Sequence, residues 1–223
     1  VLAALKTAKT PVIVCGGGVI LAGGTAALAA FTEKLDIPVC TTVSGQGSLA
    51  ETHPNCAGVV GSNGGQPAIR GLVDEADLIF YIGCRAGSVT TERWRSPKAG
   101  TTVVHMDNDP AVIGACYQTK AAMVCDARLG LEALILELGA VFGKNGTVRV
   151  LAAKTEKWKA FAPLAVSNKM PIKPERVLAD LAKHLPDDAV VCADPGTPCP
   201  YFSAWFEWRK PGRYFITNRA HGA

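Results

Sequence analysis

The sequence predicts an α/β protein with a doubly wound, mainly parallel six-stranded sheet, followed by an incomplete second α/β unit. Short apolar runs alternate with segments of helical periodicity, which is the pattern of parallel βαβ units. The first run, Val12–Val14, stops at Gly16, Gly17 and Gly18, as a strand does where a tight turn leads to a helix. With 223 residues, 48% of them hydrophobic, the chain can bury one large core or two small ones.

The first unit contains most of the predicted elements. The strands are Pro11–Cys15, Ile37–Thr41, Cys56–Val60, Leu78–Ile82, Thr102–Met106 and Ala122–Cys125. The helices are Thr25–Leu35, Gln66–Glu75 and Ala127–Leu138. Asp126 precedes the last helix and is a good N-cap residue. Because helices join successive strands, we expect a Rossmann-like sheet of nucleotide-binding type over residues 1–140.

The pattern changes after residue 140. Residues 141–173 are predicted to hold one charged, amphipathic helix, Val148–Ala162, and a proline-containing linker. Residues 174–223 begin a second unit, with a helix over Glu175–His184 and strands over Ala189–Cys192 and Tyr214–Thr217. Two strands with one or two helices bury too little apolar surface to be stable alone. We therefore expect the chain to be a segment of a longer protein.

Composition excludes several classes of function. The net charge is +4, from 23 basic and 19 acidic residues, and no basic stripe with aromatic residues indicates nucleic-acid binding. The apolar runs are far shorter than the ~20 residues of a membrane span, and no targeting signal is visible. The eight cysteines form no C-x-x-C motif, and no histidine lies at metal-ligand spacing. Free, mostly buried cysteines are typical of a reducing cytoplasm, where we expect the protein to be located.

Glycines and polar residues collect where the predicted strands end. In an open parallel sheet, ligands bind beyond the carboxyl ends of the strands. The residues there include Gly16, Gly17, Gly18, Thr42, Val43, Gly61, Asn63, Gly83, Arg85, Asp107, Asn108 and Asp126. Glycines before a helix favour phosphate, and carboxylates can accept ribose hydroxyls. Together these residues predict a nucleotide-binding edge.

Each member of this set also has a simpler explanation. The glycine run matches G-x-G-x-x-G imperfectly and could serve only close packing of a strand and a helix. Asp126 could only cap its helix, and Arg85 could be a surface charge. His53 is interpreted as a loop-packing residue, and His105 as a core histidine.

A missing acidic residue after the second strand weakens the interpretation of the chain as an NAD(P) oxidoreductase. The dinucleotide-binding fold usually carries an acid about 20 residues after the glycines, where it binds the ribose. The second predicted strand ends in Cys40–Thr42 and contains no acid. The candidate carboxylate comes later, as Asp107. An oxidoreductase domain remains the weaker alternative.

Several motifs follow one another in a characteristic order. They are Ala8–Val19, Asp36–Thr42, Gly45–Gly47, Glu51–Pro54, Ala76–Ile79, Ile82–Gly83 and His105–Pro110. This order resembles the central domain of thiamine-diphosphate-dependent enzymes of the acetolactate synthase type. In the second unit, Pro174–Val177, Cys192–Gly196 and Thr217–Gly222 resemble the start of the diphosphate-binding domain of that family. The resemblance thus covers the whole chain, and it makes 174–223 a truncated thiamine-diphosphate domain.

The resemblance implies cofactors at two places. Flavin-binding members hold FAD at the strand-end residues given above, in a largely non-redox role, whereas other members bind ADP or nothing there. After Arg85 this chain reads Ala86–Thr91, AGSVTT, and lacks the acidic, second-arginine pattern of the flavin-binding synthases. Gly196 and Thr197 match positions near the thiamine diphosphate, and Gly222 matches a glycine below its thiazolium ring.

The resemblance also implies that the isolated chain is not a catalyst. The catalytic glutamate of the family belongs to an N-terminal domain, and its Mg²⁺ is held by a downstream Gly-Asp-Gly…Asn motif; Gly-Asp-Gly does not occur here. We expect no catalytic residue and no metal ligand in this chain. The parent protein is expected to be a homo-oligomer, a dimer or tetramer, that joins 2-oxo acids as acetolactate synthase does. A nucleotide-binding or structural scaffold module without catalysis is the alternative.

Overall fold

Six parallel strands form the main sheet of the computed structural model, which describes residues 1–139, 142–194 and 196–217. They are β1 Val12–Cys15, β2 Val39–Thr41, β3 Cys56–Val59, β4 Leu78–Ile82, β5 Thr102–Asp107 and β6 Thr119–Val124. Their order is β3-β2-β1-β4-β5-β6, and each neighbouring pair is parallel. The predicted doubly wound sheet is confirmed, and its topological switch point lies between β1 and β4.

Helices cover both faces of this sheet. They are α1 Leu2–Thr7, α2 Gly17–Leu21, α3 Thr25–Leu35, α4 Pro67–Asp74, α5 Ala127–Glu137 and α6 Gly146–Ala165. Alternate residues of β1 enter opposite cores: Ile13 packs with α3 and α5, and Val14 with α4 and α6. This alternation is the period-2 geometry of a strand that is buried on both faces.

The second unit, residues 174–217, packs directly on the first. It contains α7 Pro174–His184, β7 Val191–Ala193, α8 Pro198–Trp205 and β8 Phe215–Thr217, with β7 and β8 forming a parallel pair. Phe206, Trp208 and Phe215 form a buried aromatic cluster that includes Val43 and Val59 of the first unit. The two strands therefore share a core with the larger sheet, as a unit too small for its own core requires.

Some boundaries differ from the predicted ones. The predictions for α3 and β4 agree with the structure residue for residue, whereas β6 begins three residues earlier than predicted. Burial alternates along β6 because it is the edge strand, so its apolar signal is weak. Three helices of the structure, α1, α2 and α8, are not among the predicted elements. Within the described residues, no helix is long and apolar enough to cross a membrane.

Candidate functional site

A groove crosses the carboxyl edge of the sheet at the switch point between β1 and β4. We call it the switch-point groove. It consists of two adjoining cavities, a wide end of about 450 Å³ and an acidic end of about 170 Å³. Gly18, Leu21 and Gly83 line both cavities. This is where an open α/β sheet binds its ligands.

Two glycine turns form the floor of the groove. The amide of Gly16 donates to the carbonyl of Ile82 at 2.9 Å, and the amide of Gly18 donates to the carbonyl of Gly83 at 3.1 Å. A Cβ atom on Gly16 would lie 2.0 Å from the Gly83 oxygen, and one on Gly18 would lie 2.7 Å from the Gly83 Cα. Close packing of the two turns therefore requires both glycines, and their amides are already bonded within the fold.

The wide end is suited to an anion. Arg85 and Arg213 line it together with hydroxyl-bearing residues. The hydroxyl-bearing residues are Thr42, Ser44, Ser88 and Thr90. None of the described lining residues is an aspartate or glutamate. Guanidinium and hydroxyl groups are donors that bind phosphate oxygens.

The acidic end contains Asp107, Asn108 and Asp126. One carboxylate oxygen of Asp107 accepts from the Asp109 amide at 3.1 Å. One oxygen of Asp126 accepts from the amides of Arg128 and Leu129 and caps α5, as predicted. A carboxylate has two oxygens and about four acceptor positions, so both residues retain capacity for ligand hydroxyls.

Some predicted site residues lie outside both ends of the groove. Val43 packs in the aromatic cluster because a short 3₁₀ turn, Val43–Gly45, directs the chain inward there. Gly61 has φ +97°, and a Cβ on it would lie 2.3 Å from the Val89 carbonyl oxygen. It therefore supports the loop that lines the wide end. Asn63 lines neither cavity.

The predicted diphosphate residues belong to the second unit. Gly196 and Thr197 lie between β7 and α8. Nothing crowds Gly196, since the atom nearest to a Cβ there would be Pro198 Cδ at 3.8 Å. Pro198 and Pro200 in the first turn of α8 have no amide hydrogen and cannot donate to a ligand. The Thr197 hydroxyl can donate at this turn. Gly222 lies outside the described residues.

Sequence reasoning missed Arg213. It precedes β8 and reaches the wide end because the amide of Gly212 donates to the Gly47 carbonyl at 2.8 Å. The Gly45–Gly47 motif is the one sequence feature related to this contact, but the motif does not indicate that Gly212 is its partner.

His105 has a structural role, and the cysteines form no disulfide. His105 is buried, and its Nε2 lies 2.8 Å from the Cys84 carbonyl oxygen, so that nitrogen carries the proton. Burial lowers its pKa, which keeps the ring neutral beneath the loop after β4. All eight cysteines are free thiols. The described part of the chain contains no group of three His, Cys, Asp or Glu residues that could hold a metal ion.

The topology defines a doubly wound α/β domain with a groove at its switch point. The family model described as "Thiamine pyrophosphate enzyme, central domain" matches residues 1–134. The chain therefore belongs to the thiamine pyrophosphate enzyme family, and the resemblance seen in its motifs is confirmed.

Curated relatives extend the match over nearly the whole chain. The chain is 30% identical to a probable acetolactate synthase large subunit of Methanococcus aeolicus over 98% of its length and 38% of that protein. It is 32% identical to the corresponding Methanocaldococcus jannaschii protein over 98% of the chain and 37% of that protein. Acetolactate synthase isozyme 3 large subunit of Escherichia coli is 30% identical over 96% of the chain and 38% of that protein. The chain thus spans less than two fifths of the length of these relatives.

Proposed function

We propose that this chain is the middle part of a thiamine-diphosphate-dependent enzyme that joins 2-oxo acids in an acetolactate-synthase-like carboligation. The observation that supports this most is the match of 96–98% of the chain to acetolactate synthase large subunits, across both units. When bound, thiamine diphosphate supplies the electron sink for carbon–carbon chemistry at a 2-oxo acid. Gly196 and Thr197 would contact part of its diphosphate.

The isolated chain is proposed to be inactive. Gly-Asp-Gly, the metal motif expected of the family, is absent from the 223 residues, and the resemblance places the catalytic glutamate in an N-terminal domain. The chain alone therefore supplies only the nucleotide-type groove and one edge of a diphosphate site. We expect a homo-oligomeric parent in which flanking domains complete that site.

For the groove, we propose a nucleotide with its phosphates at the wide end and its ribose at the acidic end. This assignment rests on the separation of charge along one groove, with Arg85 and Arg213 at one end and Asp107 and Asp126 at the other. ADP and FAD share this phosphate and ribose chemistry. The AGSVTT sequence after Arg85 favours ADP over FAD.

Titration calorimetry with ADP and with FAD tests the groove. We expect the Arg85→Ala, Arg213→Ala double variant to bind ADP at least about tenfold more weakly, since each charge-assisted contact contributes about 1.5–3 kcal/mol. The matched control is Arg176→Ala with Lys183→Ala, which also removes two positive charges but from α7. Equal ADP affinity of the two double variants would show that the wide end of the groove does not bind the phosphates. Failure of the wild type to bind either nucleotide would favour the scaffold alternative.

Acetolactate formation from pyruvate, with thiamine diphosphate and Mg²⁺ added, tests the proposed reaction. We expect product from a protein that carries this chain together with both flanking domains, and none from the 223 residues alone. Carboligation by the isolated chain would contradict the proposal that flanking domains are needed to complete the site. Oxidation of NADH by the longer protein, without carboligation, would instead support the oxidoreductase alternative.

A further inference from the structure

A separate cavity lies at the opposite edge of the main sheet from the switch-point groove. We call it the basal cavity. It has a volume of about 770 Å³ and lies at the amino ends of β5 and β6, where Thr102 and Thr119 line it. It shares no described lining residue with the groove. Its volume is within the range of small-molecule sites.

The charged residues that line the basal cavity are all positive. Arg95, Lys98 and Lys120 line it, and none of its described lining residues is acidic. All three side chains are exposed, and none forms an ion pair with a described carboxylate. Three uncompensated cations around one concave surface raise the local concentration of anions.

Two aromatic rings accompany these cations. Trp94 is 55% exposed, which is unusual for so large an apolar side chain. Tyr117 also lines the cavity and is fixed, because its ring stacks on Tyr81 with centroids 6.1 Å apart and its hydroxyl donates to the Ser96 carbonyl at 3.1 Å. An exposed indole and a fixed phenol ring that line one cavity provide surfaces for stacking a planar ligand.

The backbone that presents Trp94 is strained. Glu92, Arg93 and Trp94 are three consecutive non-glycine residues in the left-handed region, with φ of 49°, 61° and 59°. The turn is held by bonds from the Trp94 amide to Thr91 Oγ1 at 3.1 Å and from Arg70 to the Glu92 carboxylate at 2.8 Å. Such conformations persist only where surrounding contacts enforce them, and they are concentrated at ligand clamps and functional loops.

We propose that the basal cavity binds a small aromatic phosphate of the nucleoside monophosphate type, with its phosphate among Arg95, Lys98 and Lys120 and its ring stacked on Trp94. The site is independent of the switch-point groove and of the thiamine diphosphate chemistry. A second copy of the chain seated on Trp94 is the competing occupant, and the experiment distinguishes the two.

Calorimetric titration with AMP tests the basal cavity in a full chain that carries Arg85→Ala and Arg213→Ala, so that the groove contributes little. In this background we expect saturable AMP binding.

In the same background, adding Lys98→Ala with Lys120→Ala should weaken AMP binding at least about tenfold. Trp94→Ala should weaken it about fivefold or more, while Trp94→Phe should retain most of the affinity. Lys169→Ala with Lys173→Ala removes two exposed lysines from the linker and is the matched control. Inorganic phosphate, which lacks a ring, should bind at least about fivefold more weakly than AMP.

Three results would overturn the proposal. The first is absence of AMP binding in the groove-deficient background, and the second is equal affinity of the two lysine double variants. The third is a chain that dimerises in sedimentation equilibrium and becomes monomeric with Trp94→Ala, because a second copy would then cover the indole. None of these results bears on the groove proposal. That proposal is tested separately, by the loss of ADP affinity when Arg85 and Arg213 are replaced.

Discussion

The amide of Gly212 donates a hydrogen bond to the carbonyl oxygen of Gly47, 2.8 Å away, and joins the second unit to the first. The two backbones are in direct contact: a Cβ atom on Gly47 would lie 1.8 Å from the Gly212 oxygen. Gly47 also has φ +90°, a conformation that favours glycine. Because Arg213 follows Gly212, this contact positions a cation at the wide end of the groove.

Gly47→Ala should therefore reduce both stability and nucleotide binding. Gly114 is the matched control, since it has φ +77° but nothing within 4 Å of a Cβ, and it lines neither the groove nor the basal cavity. Both substitutions incur left-handed strain of about 1–2 kcal/mol, and only Gly47→Ala must also displace backbone, at a further cost of about 1–3 kcal/mol. Urea unfolding measures the difference, and ADP titration should show weaker binding for Gly47→Ala alone. Equal losses in the two variants would mean that the Gly47–Gly212 contact does not constrain the chain.

A second glycine pair should give effects of opposite sign. Gly18 in α2 and Gly71 in α4 are both helical, and alanine in an exposed helix position is more stable than glycine by about 0.5–1 kcal/mol. Nothing lies within 4 Å of a Cβ on Gly71, whereas one on Gly18 would meet the Gly83 Cα at 2.7 Å. Gly71→Ala should raise the free energy of unfolding, and Gly18→Ala should lower it by more than about 1 kcal/mol. A stabilising Gly18→Ala would contradict the packing role of the glycine run.

Local signals explain how much of this molecule was predictable. The strand Leu78–Ile82 lies between Asp77 and Gly83, and its five apolar residues are all buried, so pattern and structure coincide. The carboxyl ends of parallel strands meet at one edge, so the strand order alone brings Gly83 and Asp107 to one groove. These parts of the site follow from short-range patterns and a general rule of topology.

Other parts depend on tertiary contacts that no local pattern encodes. Arg213 reaches the groove through a contact with residue 47, far away in the sequence. Val43 follows a strand end as Thr42 does, but its side chain is drawn into the aromatic cluster of the second unit. The turn Glu92–Trp94 contains no glycine, so the sequence gives no sign of its left-handed backbone.

Asp126 allows its capping role to be separated from its proposed ligand role. Its Oδ1 accepts from two amides at the start of α5, and asparagine retains a side-chain oxygen for the same bonds. Asp126→Asn should therefore keep the free energy of unfolding within about 0.5 kcal/mol, whereas Asp126→Ala should lose about 1 kcal/mol. If the carboxylate binds a ribose, both variants should weaken ADP binding in calorimetry. Unchanged ADP affinity in Asp126→Asn would leave Asp126 with a capping role alone.

A buried acid should make stability depend on pH near neutrality. Glu51 is 2% exposed, and burial raises its pKa to about 7, although Lys157 and Lys154 oppose the shift and Glu207 adds to it. The folded state thus holds this proton more tightly than the unfolded state, whose value is near 4.5. This group therefore contributes stability that is fully present below about pH 4.5 and is lost as the pH rises through about 7.

The corresponding experiment compares urea unfolding of the wild type and Glu51→Gln from pH 5 to pH 8. A shift of this size corresponds to roughly 3 kcal/mol, so the wild type should lose up to that amount relative to the variant across this range. Lys157 is itself buried, and desolvation lowers its pKa. Its attraction to ionised Glu51 develops only as the pH rises towards 7 and already contributes to the pKa of Glu51. Glu156→Gln, at an exposed position of α6, is the control and should parallel the wild type. A pH-independent difference between the wild type and Glu51→Gln would show that Glu51 is ionised throughout and that its buried charge is compensated by the two lysines.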